Sequence, residues 1–345
     1  MDELSNTNSE NINHYRSKDR VAVITGASSG IGRATAHELA RRGAKVIVAS
    51  RNKQALNEVV KECRKYDGEA LAMVTDVTRE EEVDNLAKFA VEKFGKIDIW
   101  INNAAVTLFG RFEEVPTEDI RRVVETNLFG YIYGTRAAIP RFREQGSGTL
   151  INISSTAAIM GQPYTGAYVA TKAAEKALSE SLNQELIDEE NIHVCTVLPG
   201  VTDTPIFQHG ANYTGKKVIP PGRIHSPEKI AEAIADVSEN PRKELYTGSA
   251  GQIISIAKYV APSRLYDKII KDSISKNHFG DTPSEATSGN LYEHDLDRLT
   301  GGWQEELHES RLHEKRQKAG MMLAGLGLGL LAVWGLTRSR GNGQS

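Results

Sequence analysis

The chain has little of several things. Two of its 345 residues are cysteine, Cys63 and Cys195. They lie far apart and fit no metal-ligand spacing, which argues against a disulfide framework or a cysteine-built metal site; both read as reduced structural thiols. His, Asp and Glu form no cluster with ligand spacing either, so no metal is expected. Aromatics are 6% of the chain and the formal net charge is −3. No strong overall field exists to attract nucleic acid, and the first 275 residues carry no long basic stripe. Residues 1–18 are polar, lack the apolar core of a secretory signal and are expected to be disordered. No long internal repeat is present.

What is present is a chain of ordinary globular composition, 25% charged and 39% hydrophobic. Its length suffices to bury one large α/β core. From Arg20 onward short apolar runs alternate with amphipathic stretches. Strands are expected at 21–25, 45–50, 71–77, 97–104, 149–155 and 192–200, and helices at 30–42, 54–66, 80–94 and 168–186. A long helical region at 120–143 is interrupted by Gly130 and Pro140. Nearly continuous apolar strands alternating with helices imply a parallel sheet covered on both faces. Residues 205–225 carry turn chemistry and read as an irregular lid. Ser226 precedes Pro227 and Glu228 as the cap of a helix to Val237, and Leu245–Ser249 reads as an edge strand. The expected organisation is a catalytic domain over 19–272, a polar linker over 273–302, a charged helix over 303–318, an apolar helix over 319–337 and a tail over 338–345.

The run TGASSGIG, Thr25 to Gly32, follows an expected strand and opens an expected helix. That context makes it a nucleotide cradle. Gly26 permits the sharp turn, Gly30 lets backbone approach a pyrophosphate, and Gly32 permits close helix packing. Ser29 and Ile31 lie where the helix N-terminus offers free N–H groups to phosphate. The second strand ends Ala49-Ser50-Arg51-Asn52, with no acid and an immediate arginine. An acid there would bind a ribose 2′-OH, whereas an arginine accommodates a 2′-phosphate, so the expected cofactor is NADP(H). Ser28 adds a hydroxyl. Asp76 and Val77 close the third strand, where a carboxylate can accept from an adenine amino group and Val77 can flank the ring. Asp76 also suits a helix cap.

Tyr168 and Lys172 form Y-x-x-x-K. On a helix, residues four apart share a face, so the ammonium lies beside the phenol. A nearby cation lowers the pKa of a phenol that is otherwise near 10, which would make Tyr168 an acid in reduction and a base in oxidation.

Taken in order, TGASSGIG, Asp76-Val77, Asn102-Asn103-Ala104-Ala105, Asn127, Ser155, Tyr168-x-x-x-Lys172 and the PGVTDT run from Pro199 resemble the short-chain dehydrogenase/reductase family across about Asp19 to Leu265. The resemblance implies a doubly wound, Rossmann-like parallel sheet of about seven strands and a homo-oligomer, dimer or tetramer. It implies that Lys172 holds the nicotinamide ribose, that Ser155 holds the substrate oxygen, and that Asn127 orders a water linking Lys172 to solvent. Pro199, Gly200, Val201 and Thr204 would line the nicotinamide end, with Thr204 bonding its carboxamide; Asn102, Asn103 and Ala104 would support the cofactor. The family's usual NNAG reads NNAA here. Ser154, beside Ser155, is expected on the opposite strand face. His193 and His209 are read as non-catalytic.

Residues 319–337 contain no charge and as a helix would span roughly 28 Å. Lys315, Arg316 and Lys318 precede them; Arg338 and Arg340 follow. Trp334 suits an interface, and Gly325 with Gly329 forms G-x-x-x-G. The excess of preceding positive charge predicts a single-pass anchor with the catalytic domain facing the cytoplasm. The expected function is hydride transfer between NADP(H) and a ketone or secondary alcohol, on a small and lipophilic substrate. The alternatives are a catalytically silent NADP-binding sensor or membrane scaffold, and an epimerase or dehydratase; the latter usually needs a larger C-terminal substrate domain.

Overall fold

The computed structural model describes residues 17–66, 68–247, 263–293 and 301–303. Seven strands form one parallel sheet: β1 (Val21–Thr25), β2 (Lys45–Ser50), β3 (Ala70–Val74), β4 (Ile99–Asn102), β5 (Gly148–Ile153), β6 (Ile192–Pro199) and β7 (Glu244–Thr247). Their order is β3-β2-β1-β4-β5-β6-β7, and every neighbouring pair is parallel. The winding reverses between β1 and β4, and at such a switch point a crevice opens beyond the carboxyl ends of the strands.

The helices are α1 (Gly30–Arg41), α2 (Lys53–Cys63), α3 (Glu80–Phe94), α4 (Thr117–Val124), α5 (Gly130–Gln145), α6 (Gly166–Glu185), α7 (Pro227–Glu239) and α8 (Ser263–Asn277). Strand residues alternate between two cores because successive side chains point to opposite faces. Ala22, Ile24, Val46 and Val48 meet Leu39, Leu56, Ile230 and Ile234 on one face. Val21, Val23, Ile47 and Ala49 meet Val83, Leu86, Ala138 and Phe142 on the other. Each fully buried Val, Leu, Ile or Phe among these contributes about 1.5–3 kcal/mol. Both cysteines are buried in this core, which pushes the Cys63 thiol up to about 12 and the Cys195 thiol up to about 11.

The doubly wound sheet matches the expectation; several boundaries differ. The long helical region breaks before Gly130 rather than at it. A π-helical turn, Glu125–Phe129, separates α4 from α5, and Pro140 sits inside α5. The wide turn holds Asn127, whose amide reaches across to the backbone of Val106. Ser226 does cap α7, accepting from the Lys229 N–H at 3.4 Å. Ser17, inside the stretch expected to be disordered, is buried and donates to Glu239.

Residues 205–225 are more regular than turn chemistry suggests. Ile206–His209 forms one helical turn, Ala211–Asn212 pairs with Leu108–Phe109, and Lys216–Val218 pairs antiparallel with Phe279–Pro283. The expected linker over 273–302 likewise differs. It holds the end of α8, the strand Phe279–Pro283, a bridge from Thr287 to Asn212, and a fully buried Leu291 packed with Val106, Leu108, Val123 and Ala211. Composition hides this cover because backbone pairing and one or two apolar anchors hold it. The compact unit containing the sheet runs to Gly301, past the boundary expected at 272. Beyond Trp303, the charged helix of 303–318, the apolar segment 319–337 and the tail 338–345 lie outside the described residues. Among the described residues, no helix is long and apolar enough to cross a membrane.

Candidate active site

A cavity of about 570 Å³ opens just past the last residues of β1 to β6. Its floor at one end is the turn after β1. Gly26 adopts φ +64°, and a Cβ there would lie 2.6 Å from Ala104 Cα; a Cβ on Gly32 would lie 2.4 Å from the Gly26 carbonyl. Only glycine lets this turn, the start of α1 and the segment after β4 close on one another. Asn103 fastens the turn, its Nδ2 donating to the carbonyls of Thr25 (2.9 Å) and Gly26 (3.1 Å). Ser28, Ser29, Gly30 and Ile31 line the cavity, and the Ser29 side chain makes no capping bond to the helix. The first N–H groups of α1 therefore remain available to an anion.

Arg51, Asp76 and Val77 line the same end. Arg51 is not idle there. Its Nη1 donates to the Tyr292 carbonyl (3.0 Å) and the Leu291 carbonyl (3.2 Å), and its Nη2 to the Asn290 carbonyl (2.8 Å). Asp76 accepts from the Thr78 N–H (3.0 Å) and hydroxyl (2.8 Å) and from Arg122 (3.3 Å). Burial works against its ionisation, but these donors and the Arg122 charge prevail and hold the carboxyl below its ordinary range.

At the other end Ser155, Tyr168 and Lys172 converge. Ser155 follows β5 and caps a short 3-10 turn, accepting from the Ala157 N–H at 3.1 Å. Tyr168 and Lys172 project from α6, and the Ser155 hydroxyl is near enough to the Tyr168 phenol to act on its ionisation. Ser154 also lines the cavity, but its hydroxyl is spent on the Lys172 carbonyl at 2.8 Å. The ammonium of Lys172 is buried; it donates to the Ile153 carbonyl (2.9 Å) and to Glu175 Oε2 (3.1 Å) and stands 5.7 Å from the centre of the Tyr168 ring.

The expected lowering of the Tyr168 pKa does not occur. The phenol is pushed up, by burial first and by the negative charge of Glu175 second, and the Ser155 hydroxyl only partly opposes this. Burial pushes the Lys172 ammonium down, with Glu175 opposing. Burial pushes Glu175 up to about 8, against the pull of Lys172.

Pro199, Gly200, Val201 and Thr204 line the cavity between these ends, as do Ala104 and Asn103. Three expected site residues do not reach its wall. Gly32 packs beneath the turn. Asn102 is buried behind it, accepting from Trp100 Nε1 (2.8 Å) and donating to Asn152 (2.9 Å). Asn127 spends both amide hydrogens, on the Val106 carbonyl (3.0 Å) and the Thr171 hydroxyl (3.1 Å). Its side chain braces α6 and leaves no N–H for a water at Lys172. His209 lines the cavity, while His193 lies in β6 beside a smaller recess at the opposite sheet edge.

Residues 20–212 match the family model described as short chain dehydrogenase. The chain belongs to the short-chain dehydrogenase family. It is 38% identical over 270 residues to an oxidoreductase of Bacillus subtilis, YxnA, covering 77% of this chain and 76% of that one. It is 36% identical over 215 residues to an oxidoreductase of Staphylococcus haemolyticus, SH0585, covering 62% and 89%. Among solved structures, an alcohol dehydrogenase from Thermococcus sibiricus complexed with 5-hydroxy-NADP shares 30% identity at TM-score 0.58, over 68% of this chain and 97% of that one. A 3-ketoacyl-(acyl-carrier-protein) reductase from Brucella melitensis complexed with NADH shares 32% at TM-score 0.60, over 67% and 97%. A short chain dehydrogenase/reductase from Burkholderia phymatum in complex with NAD shares 25% at TM-score 0.65, over 79% and 100%. The dehydrogenase is therefore an oxidoreductase acting on CH–OH or C=O groups.

Sequence reading missed several residues of this dehydrogenase's site. Glu175 was legible in principle, being three residues past Lys172 on one helix face. Tyr131, Phe109, Phe207 and His278 carried no local signal. His278 is fully buried, its Nδ1 lies 2.5 Å from the Ile219 carbonyl, and its ring stands 5.2 Å from Phe109 and 5.7 Å from Phe207.

Proposed function

We propose that this protein is an NADP(H)-dependent oxidoreductase interconverting a ketone and a secondary alcohol on a lipophilic substrate. The observation that carries this is that Ser155, Tyr168 and buried Lys172 line one cavity with the glycine turn. The cradle fits a dinucleotide: its turn closes only around glycine, and the helix start is uncapped. A reduced nicotinamide supplies a hydride in such chemistry.

The chain's own residues do the rest. Ser155 holds the substrate oxygen. As the carbonyl carbon gains hydride, the C=O π bond opens onto oxygen and Tyr168 passes its phenolic proton there, leaving an alcohol and a phenolate that regains a proton from water. In the reverse direction Tyr168 is the base. Lys172, held at the Ile153 carbonyl, favours the phenolate by its charge and is assigned the nicotinamide ribose. Asn127 supports this set by bracing α6 rather than by touching it. Thr204 and the segment from Pro199 are assigned to the nicotinamide end.

Support for NADP(H) is the Ser50-Arg51 strand end, which has no acid. A 2′-phosphate there would take over the guanidinium donors now given to neutral carbonyls, a stronger charge-assisted bond. The relatives do not choose the cofactor, being described with an NADP analogue, NADH and NAD. Support for a lipophilic substrate is the wall of Phe109, Met160, Ile206, Phe207 and Ile274.

Titrating the protein with NADPH and NADH, read by its own fluorescence, tests the cofactor. Tight NADPH and weak NADH binding is expected; binding of neither refutes the enzyme reading. The proposal also includes a homo-oligomer, resting on the family the chain belongs to, and a membrane anchor at 319–337 with the catalytic domain facing the cytoplasm, resting on the uncharged segment and its basic flanks. Membrane residence unchanged by deleting 319–345 would reject the anchor.

A further inference from the structure

Glu175 has no part in the reaction sequence above, yet its carboxylate lies directly against the Lys172 ammonium. It is fully buried, and both its carboxylate oxygens meet the Lys172 ammonium, Oε2 at 3.1 Å and Oε1 at 3.0 Å. The same ammonium is fixed by the Ile153 carbonyl at 2.9 Å and touches the Tyr131 hydroxyl at 3.4 Å. Lysine therefore stands between two anionic or potentially anionic groups, Glu175 and Tyr168, and can compensate fully only one of them.

The groups facing Glu175 can be named. On its own helix they are Lys172 and Tyr168. Lys176, next in sequence, is turned away to Glu180 and Glu244. From α5 comes Tyr131, whose buried phenol is pushed up and stays protonated. From β5 come the Ile153 carbonyl and the neutral amide of Asn152, which donates to Ser179 at 2.9 Å. The charge acting on Glu175 is that of Lys172.

Resting on the proposed function, we infer that Glu175 is a positioning residue that anchors the Lys172 ammonium and, as it ionises, offsets its charge, so that Tyr168 holds its proton into alkaline solution. A protonated Tyr168 is the form that donates to a substrate oxygen, so the site is set for carbonyl reduction, and alcohol oxidation waits for alkaline solution. Burying a carboxylate is costly in a low-dielectric core unless it is paired. That cost matches a role in which charge balance, not packing alone, is what the residue supplies.

The test needs no substrate. The ultraviolet absorbance of phenolate is followed against pH in the wild-type chain, in Glu175→Gln, in Glu175→Asp and in Tyr168→Phe, whose difference isolates Tyr168 from the other tyrosines. With Glu175→Gln, the Tyr168–Lys172 pair faces no counter-charge and loses its proton earlier. The Tyr168 phenolate is expected about one pH unit or more lower, from the usual effect of a neighbouring charge. Glu175→Asp keeps the charge and is expected to stay near wild type, which a purely structural role would not predict. Glu175→Leu, which leaves no polar atom behind, replaces Glu175→Gln if that variant does not fold. An unmoved midpoint in the folded uncharged variant overturns the inference. Failure to bind NADPH or NADH instead refutes the enzyme reading and leaves this titration to stand separately.

Discussion

One end of the cavity is floored by a backbone turn and the other is walled by apolar side chains. At the cofactor end, Gly26 to Ile31 follow one strand and start one helix, and Asn103 fastens them through two carbonyls. All of these residues fall within the stretch 20–212 that matches the family. At the far end, Phe109, Phe207, Ile274 and His278 come from segments more than sixty residues apart, and the last two lie beyond that stretch. A bound phosphate needs N–H groups, which a short turn can supply; an apolar substrate needs a shaped wall, which only several distant segments can build. The cover over 279–291 also closes on the cofactor end, through the carbonyls that Arg51 holds.

Three changes sharpen this contrast. Tyr168→Phe strikes where the ends meet. It is expected to cut turnover by about 10²–10⁴-fold, the usual contribution of a positioned acid, with NADPH binding unchanged by fluorescence titration. Substantial remaining turnover would remove Tyr168 from its role. Arg51→Ala strikes the cofactor end. Losing a charge-assisted bond of about 1.5–3 kcal/mol should weaken NADPH roughly 10- to 100-fold and NADH little. Equal losses for both would show that Arg51 serves the cover and not a 2′-phosphate. Phe109→Ala strikes the far end. It should raise KM for an apolar carbonyl substrate about tenfold, in line with the value of an aromatic contact, while NADPH affinity holds. A matching loss of NADPH affinity would mean that the two ends are not separable.

Much of the fold was legible. Val21–Thr25 and Lys45–Ser50 emerge at the expected bounds, and Glu80–Phe94 likewise, because uninterrupted β-branched runs and three acids opening a helix are local signals. The pairing of Tyr168 with Lys172 was legible too, since the two need only a helix to meet. The charge state was not. A cation four residues away implied an easily ionised phenol, but Glu175 lies against that cation and the site is buried, so the proton is held. Asn127 was found for its position and not for its bonds, which run to Val106 and Thr171.

The residues 273–302 looked like a linker because their composition is polar. Their order comes from pairing Phe279–Pro283 with Lys216–Val218 and from burying Leu291, which are contacts between segments and leave no period in either. The doubly wound sheet, the glycine turn after β1 and the pairing of Tyr168 with Lys172 were therefore readable from the chain alone, since each depends on residues within a few positions of one another. Only the tertiary structure decided what Arg51 grips, which side chains wall the far end and what charge Tyr168 meets. Hydrogen-bond partners and burial are set by neighbours in space, and in a low-dielectric interior those neighbours outweigh the intrinsic chemistry of any one side chain.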